Sequence, residues 1–186
     1  MAIRKKITFE GNTYNLGNKD RVAAFTALKE TGEPTSYKLP VQTITTATYA
    51  PTTAQSGTIF TLNRAAGIVV TLPAAAVGLV YEFYVETALT SNNYSVVAAS
   101  SSDTLTGAVR LIDIAVIGSH IDNNDNVITT GVSIPAAADH QLVTNKTTTG
   151  GLAGSHWVYT CVSDALWQVS GTNICSSGAT LATPFT

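Results

Sequence analysis

Gly67-Ile-Val-Val-Thr-Leu-Pro-Ala-Ala-Ala-Val-Gly-Leu-Val-Tyr-Glu-Phe-Tyr-Val85 is the stretch that decides the fold class. Ile68 to Leu72 is a short β-branched run suited to a buried strand. Pro73 has no amide hydrogen and cannot sit inside a central ladder, so that strand ends there or lies at an edge. A tight apolar corner runs through Gly78, and a second strand follows from Leu79 to Val85. The short connection predicts that the two strands are neighbours. In the second, Leu79, Tyr81, Phe83 and Val85 share one face, and Val80, Glu82, Tyr84 and Glu86 share the other. One face is apolar and the other carries two carboxylates, the pattern of a sheet packed on one side.

Working outward, the rest of the body reads as strands between turn signals. Thr58 to Leu62 precedes the turn Asn63-Arg64-Ala65-Ala66-Gly67, and Asn92-Asn93 leads into Tyr94 to Ala98. An apolar run from Val109 to Ile117, interrupted by Asp113, is followed by the turn Asn123-Asn124-Asp125-Asn126 and a strand from Val127 to Ile134. The last hairpin is Trp157 to Val162, Ser163-Asp164-Ala165, then Leu166 to Ser170, with a polar tail behind it. Short strands at this spacing predict a mainly β fold, a sandwich or a jelly-roll-like barrel. Gly67-Ile-Val-Val-Thr-Leu-Pro-Ala-Ala-Ala is echoed by Gly131-Val-Ser-Ile-Pro-Ala-Ala-Ala138, either as two related half-sheets or by chance in an Ala-rich chain.

The front of the chain is different. Ile3, Ile7 and Phe9 anchor an extended arm over residues 1–17, with turn chemistry at Gly11-Asn12 and Asn15 to Asn18. Alternation of Ile7 and Phe9 with Thr8 and Glu10 would let the arm add as a strand to another sheet. One short helix is expected: Asn18 or Asp20 caps it, Arg21 to Lys29 form it, and Gly32 and Pro34 end it. Val22, Phe25 and Leu28 fall on one side of that helix. A Pro- and Thr-rich connector contains one strand, Thr43 to Tyr49, and separates an N-terminal arm (1–40) from a body (41–186).

Charge divides along the same line. Residues 1–40 hold seven basic and four acidic side chains, net +3, whereas residues 41–186 hold three and eight, net −5. A basic front that docks and an acidic body that faces outward follow from that division. Arg4-Lys5-Lys6 is too short for nucleic-acid binding, since no basic face continues it. Charged residues are only 12% of the chain, about half the usual share, which suits lasting contact with protein or an all-β domain covered in Thr. No apolar run reaches the roughly 18 residues of a membrane helix, and none follows Arg4-Lys5-Lys6 as a secretory signal would require. Cys161 and Cys175 make no disulfide framework; two reduced thiols in a cytoplasm are expected.

No catalytic, cofactor or metal set emerges. His120, His140 and His156 lie in separate segments without metal-site spacing. Asp122-Asn123-Asn124-Asp125-Asn126 places oxygens at alternating positions, but Val127 stands where a calcium loop needs glycine and no glutamate closes it, so a turn is the better reading. Ser155-His156 has no acid beside it, no Gly-x-Ser-x-Gly elbow exists, and Cys175 has no basic neighbour. The expectation is a protein that is not an enzyme.

Thr71-Leu72-Pro73-Ala74-Ala75-Ala76 with Gly78-Leu79, Tyr81 and Phe83, then Asn92-Asn93, Asp103-Thr104-Leu105-Thr106-Gly107 and Trp167-Gln168-Val169-Ser170-Gly171, resembles a β domain of tailed-bacteriophage virion proteins. It occurs in head decoration (cement) proteins, head fibres and tail fibres. The resemblance covers about residues 57–171 and departs from fibre versions in its long insert between Gly107 and Trp157 and in having no collagen-like or coiled-coil shaft. It implies a homotrimer on the outside of a phage capsid, bound to the major capsid protein, or alternatively a receptor- or glycan-binding domain of a tail or head fibre. In the first case Ile3, Ile7, Phe9 and Phe25 would be apolar anchors and Arg4, Lys5 and Lys6 would meet acidic shell loops; neither nucleic acid nor membrane is an expected partner.

Overall fold

The computed structural model describes residues 5–9, 12–16, 39–114, 130–176 and 180–186. The chain forms two compact units, residues 1–38 and 39–186. In the first, β1 (Lys5–Phe9) and β2 (Asn12–Leu16) pair antiparallel across residues 10–11, with Ile7 opposite Tyr14 and Phe9 opposite Asn12. The arm is therefore a hairpin at the Gly11-Asn12 turn signal, and its first strand already has a partner in its own chain. The helix expected over Arg21 to Lys29 lies outside the described residues.

The second unit is a two-sheet β-sandwich, and its backbone winds between the sheets. β3 (Val41–Ile44), β5 (Thr58–Leu62) and β7 (Val80–Val85) lie in one sheet; β4 (Thr48–Tyr49), β6 (Ile68–Thr71) and β8 (Tyr94–Val97) lie in the other. Successive strands alternate sheets, so neighbours within a sheet run the same way: β3 with β5, β5 with β7, β4 with β6 and β6 with β8 are all parallel. The remaining strands are β9 (Thr104–Asp113), β10 (Thr130–Ser133), β11 (Gln141–Thr144), β12 (His156–Ser163) and β13 (Leu166–Cys175). Sheet orders are β10-β9-β13-β12-β7-β5-β3 and β11-β8-β6-β4.

Three expectations are corrected by this winding. Ile68 to Leu72 and Leu79 to Val85 form strands, β6 and β7, but in opposite sheets and not side by side. Pro73 ends the first, and residues 72–79 have ample reach to cross the roughly 10 Å between stacked sheets. The single strand expected from Thr43 to Tyr49 is two, β3 and β4, because the chain turns the corner between sheets at Thr45 to Ala47. The tail is not a loose polar end: Phe185 is buried and bridges to Leu142, while Val143 N–H donates to Pro184 O at 2.7 Å. β11 had no expectation at all. The two echoed segments occupy unlike places, one inside the smaller sheet and one at the edge of the larger.

In-register winding stacks like upon like. Ile44, Leu62 and Val85 align across β3, β5 and β7, and all three are buried. Phe60, Phe83 and Trp157 align across β5, β7 and β12, each with no exposed surface. The Phe60 and Phe83 rings stack 5.5 Å apart, and Phe83 meets Tyr159 edge-on at 5.9 Å. On the smaller sheet Ile68 aligns with Tyr94, and Val70 with Val96 and Leu142. Tyr94 carries its hydroxyl to Thr87 O at 2.6 Å and Arg64 O at 3.0 Å, tying two loops to the core.

Two glycines let β13 pack between β12, antiparallel to it, and β9, parallel to it. A Cβ at Gly171, opposite Trp157, would stand 2.2 Å from His156 O, and one at Gly107 would stand 2.1 Å from Val169 O. Gly107 also has φ +102°, which side-chain-bearing residues rarely adopt. Phe83→Ala should cost about 3–5 kcal/mol, the usual loss for a buried aromatic. Gly171→Ala, a gain of one methyl, should destabilise through backbone displacement; denaturant unfolding followed by tryptophan fluorescence reads both, and an unchanged midpoint for Gly171→Ala would show that the strands can separate freely there.

Candidate interaction surface

Of the residues expected to contact a shell, Lys5, Lys6, Ile7 and Phe9 lie on β1, facing Leu16, Asn15, Tyr14 and Asn12 respectively in the register. Ile3, Arg4 and Phe25 lie outside the described residues. The hairpin brings four of the seven into one element.

No cluster of three or more His, Cys, Asp or Glu able to hold a metal exists among the described residues. His140 precedes β11 and His156 begins β12 in the other sheet; His120 and the turn at Asp122 to Asn126 lie outside the described residues. No helix among them is long and apolar enough to cross a membrane. Polar groups in the interior serve the fold. Trp157 Nε1 donates to Asn173 Oδ1 at 2.5 Å, and Asn173 Nδ2 donates to Thr149 O at 2.8 Å, fastening the 145–155 loop to the sheet. Within that loop Asn145 Oδ1 accepts from the amides of Thr147, Thr148 and Thr149. The Tyr159 hydroxyl and Trp167 Nε1 are buried without a hydrogen-bond partner.

The thiols are buried and free. Cys161 faces Trp167 in the register and Cys175 lies eight residues further along β13, about 26 Å away, far beyond the roughly 7 Å that a disulfide tolerates. Burial pushes the Cys175 thiol up to about 11, with the Asp113 carboxylate adding to it. Burial also raises Cys161, which donates to Ser163 O at 3.1 Å. Both are poor nucleophiles.

What the second unit does present is a face. Side chains pointing outward from the seven-stranded sheet include Val41, Tyr84, Ile114, Val132, Ile134 and Val162, which are six of the nine exposed large hydrophobic residues described. Val132 is 69% exposed, Ile134 70% and Val41 63%. Ile59, Val80, Val158 and Ile174 lie half-buried among them. The ionisable side chains on this side are Glu82, Arg110 and His156, with Glu86 just past the end of β7. A solvated sheet face ordinarily carries many more.

The sheet edges are treated unequally. Gln141 N–H donates to Thr186 O at 3.1 Å, and with the Val143 bond to Pro184 the tail covers β11. At the other end Ile59 N–H takes Pro40 O and Asn63 N–H takes Ile44 O, so Val41 and Thr43 turn their own backbone groups away from β5. Among the described residues β3 is thus an edge strand with an exposed apolar side chain, Val41.

No protein-family model, no curated protein and no solved structure matches this chain. Function must therefore be argued from the residues themselves.

A buried thiol gives a pH signature. Unfolded, Cys175 loses its proton near pH 9.0; folded, it keeps it to about 11, so the unfolded chain binds fewer protons in that window. The stability from this group is complete below pH 9 and is lost as pH rises to about 11. Tyr159, raised well above 10.0 by burial, acts in the same direction at higher pH. Denaturation midpoints should fall from pH 9 to 11, with a shallower fall in Cys175→Ala. Thiol reagents at pH 8 should label neither cysteine until denaturant is added; rapid native labelling would contradict the burial.

Proposed function

We propose that this protein is a non-enzymatic component of a tailed-phage virion, a decoration protein that binds the outside of the head through its N-terminal unit. The observation that carries the reading is the coincidence of structural and electrostatic boundaries. Residues 1–38 form one compact unit with net charge +3, and residues 39–186 form another with net charge −5. A small basic hairpin unit tethered to an acidic sandwich is suited to docking one end and displaying the other. A two-stranded hairpin is marginal alone, so β1 and β2 gain stability from whatever they dock on.

The resemblance of the 57–171 body to decoration and fibre domains supports the same class and supplies the homotrimer and the major capsid protein as partner. Binding across subunit borders would stabilise the shell by mass action, because the added protein binds only the assembled lattice. Lys5 and Lys6 would meet acidic shell loops, and Ile7 and Phe9 would seat beside them. The parallel winding from β3 to β8 favours a fibre tip as second reading, since such coils extend by stacking.

Quantitative mass spectrometry of purified virions separates the two. Decoration predicts on the order of one copy per major capsid subunit, as lattice binding requires, whereas a fibre tip predicts a few per particle. Absence from the virion would overturn both. Deleting residues 1–17 should abolish head binding while the sandwich still folds; undiminished binding would show that the hairpin is not the anchor.

A further inference from the structure

We propose that the outer edge of β11 is a strand-addition site for an extended peptide carrying a proline followed by an aromatic residue, and that residues 184–186 are its resident, displaceable occupant. β8 takes one edge of β11, with Leu142 opposite Val96 and Thr144 opposite Tyr94. On the other edge Gln141 and Thr186 exchange both backbone hydrogen bonds, each at 3.1 Å, and Val143 N–H donates to Pro184 O at 2.7 Å. Between those two pairs Leu142 bridges antiparallel to Phe185, and both side chains are buried. That is the arrangement of strand addition, in which main-chain bonds hold an extended segment and a side-chain slot selects among such segments.

The hold is short enough to release on its own. His140 N–H also reaches Thr186 O at 3.1 Å, but Pro184 has no amide hydrogen to return the bond to Val143, so the ladder ends there. Upstream, Ala182 and Thr183 are exposed. They are fastened by Ala182 N–H to Thr148 O at 3.0 Å and by a hydroxyl pair, Thr183 Oγ1 with Ser133 Oγ at 2.8 Å. A few backbone bonds and one ring therefore hold 184–186, whereas β7 and β12 are each paired along both edges. Segments with few buried contacts open without the rest of the fold.

Chemistry selects what can take its place. Outward amides at Gln141 and Val143 and the outward carbonyl of Gln141 match extended backbone, because a helix keeps its own main-chain groups paired. The slot beside Leu142 takes a ring. Proline suits the position ahead of that ring, since Val143 uses only its carbonyl and a fixed φ lowers the entropy lost on binding. Because the resident is tethered, its effective concentration is on the order of millimolar, so a free peptide competes only near that concentration unless the resident is weakened. The tail thus guards the edge against casual pairing and yields to a partner segment held close by. None of this depends on the virion reading.

NMR on the full-length, nitrogen-15-labelled chain tests it, with the pentapeptide Ala-Thr-Pro-Phe-Thr as probe. In the wild type the amides of Gln141 and Val143 should exchange with deuterium at least about tenfold faster than core amides of β7 and β12, by local opening. Phe185→Ala should speed their exchange at least about tenfold more and leave the core amides unchanged. It should also bind the peptide at least about tenfold more tightly than the wild type does, as a weakened tethered competitor requires, with the Gln141 and Val143 cross-peaks shifting. The peptide Ala-Thr-Pro-Ala-Thr should bind neither protein. Wild-type Gln141 and Val143 amides that exchange only as slowly as the core overturn the proposal. So does a folded Phe185→Ala protein that takes the peptide no better than the wild type, or equal binding of the two peptides. A Phe185→Ala chain without native near-UV circular dichroism overturns it too, since the ring would then be part of the fold and not a resident ligand.

Discussion

Everything in the sandwich depends on stacking identical depths of the chain directly upon one another. Phe60, Phe83 and Trp157 come from β5, β7 and β12, far apart in the chain, yet occupy one row, and a one-residue slip in any of these strands would turn an aromatic ring to solvent. Each ring buried is worth roughly 1.5–3 kcal/mol or more, so register errors are expensive several times over. The parallel pairs bring no hairpin to set register locally. Side-chain complementarity between distant segments has to do it instead.

That constraint explains where backbone freedom is used. The later strands, β9, β10, β12 and β13, meet the wound half along β12, and the chain thins itself at Gly171 in the antiparallel β12–β13 pair and at Gly107 in the parallel β9–β13 pair, where any side chain would strike a neighbouring carbonyl. The price is two flexible residues in long strands, offset by the buried Trp157–Asn173–Thr149 relay that pins the adjoining loop. Tyr94 and Phe185 do comparable work on the smaller sheet: one fastens loops by its hydroxyl, the other closes an edge with the chain terminus. Two polar atoms, on Tyr159 and Trp167, remain unsatisfied in this interior, a cost carried by the dense aromatic packing around them.

Local patterns in the sequence were legible wherever a strand had one dry face. Leu79 to Val85 alternates cleanly, and its buried and exposed sides are those the alternation predicts. Thr58 to Leu62 and the hairpin after Trp157 are equally plain. Partnership was not legible. Proximity in sequence made β6 and β7 look like neighbours, but a chain that changes sheets after each strand pairs segments about twenty residues apart, and no local signal encodes that. β11 is only four residues with no turn pair before it, and Phe185 is a lone aromatic in a polar tail whose partner, Leu142, lies far upstream. Alternation of Ile7 and Phe9 with polar residues marked the extended strand β1, but the expected partner was another sheet, and its pairing with Asn12 to Leu16 carried no local signal beyond the Gly11-Asn12 turn. The outward face had no signature, because seven strands each contribute one or two apolar residues to it and only the topology adds them together.

The low charge of the chain finds its physical sense in that addition. A free-standing sandwich of this width would ordinarily alternate buried apolar residues with charged ones, as an outward face in water gains nothing from Val or Ile. Here β-branched residues occupy both sides of several strands in the larger sheet, such as Ile44 and Val41 on β3, Val109 and Ile112 on β9, and Val169 and Ile174 on β13. Acidic residues are found chiefly in turns and loops, at positions such as Glu86, Asp139 and Asp164, where they keep the rim soluble without crossing the face. Among the described residues β3 ends the larger sheet with Val41 exposed beside these β-branched positions, the kind of edge that invites further strand pairing.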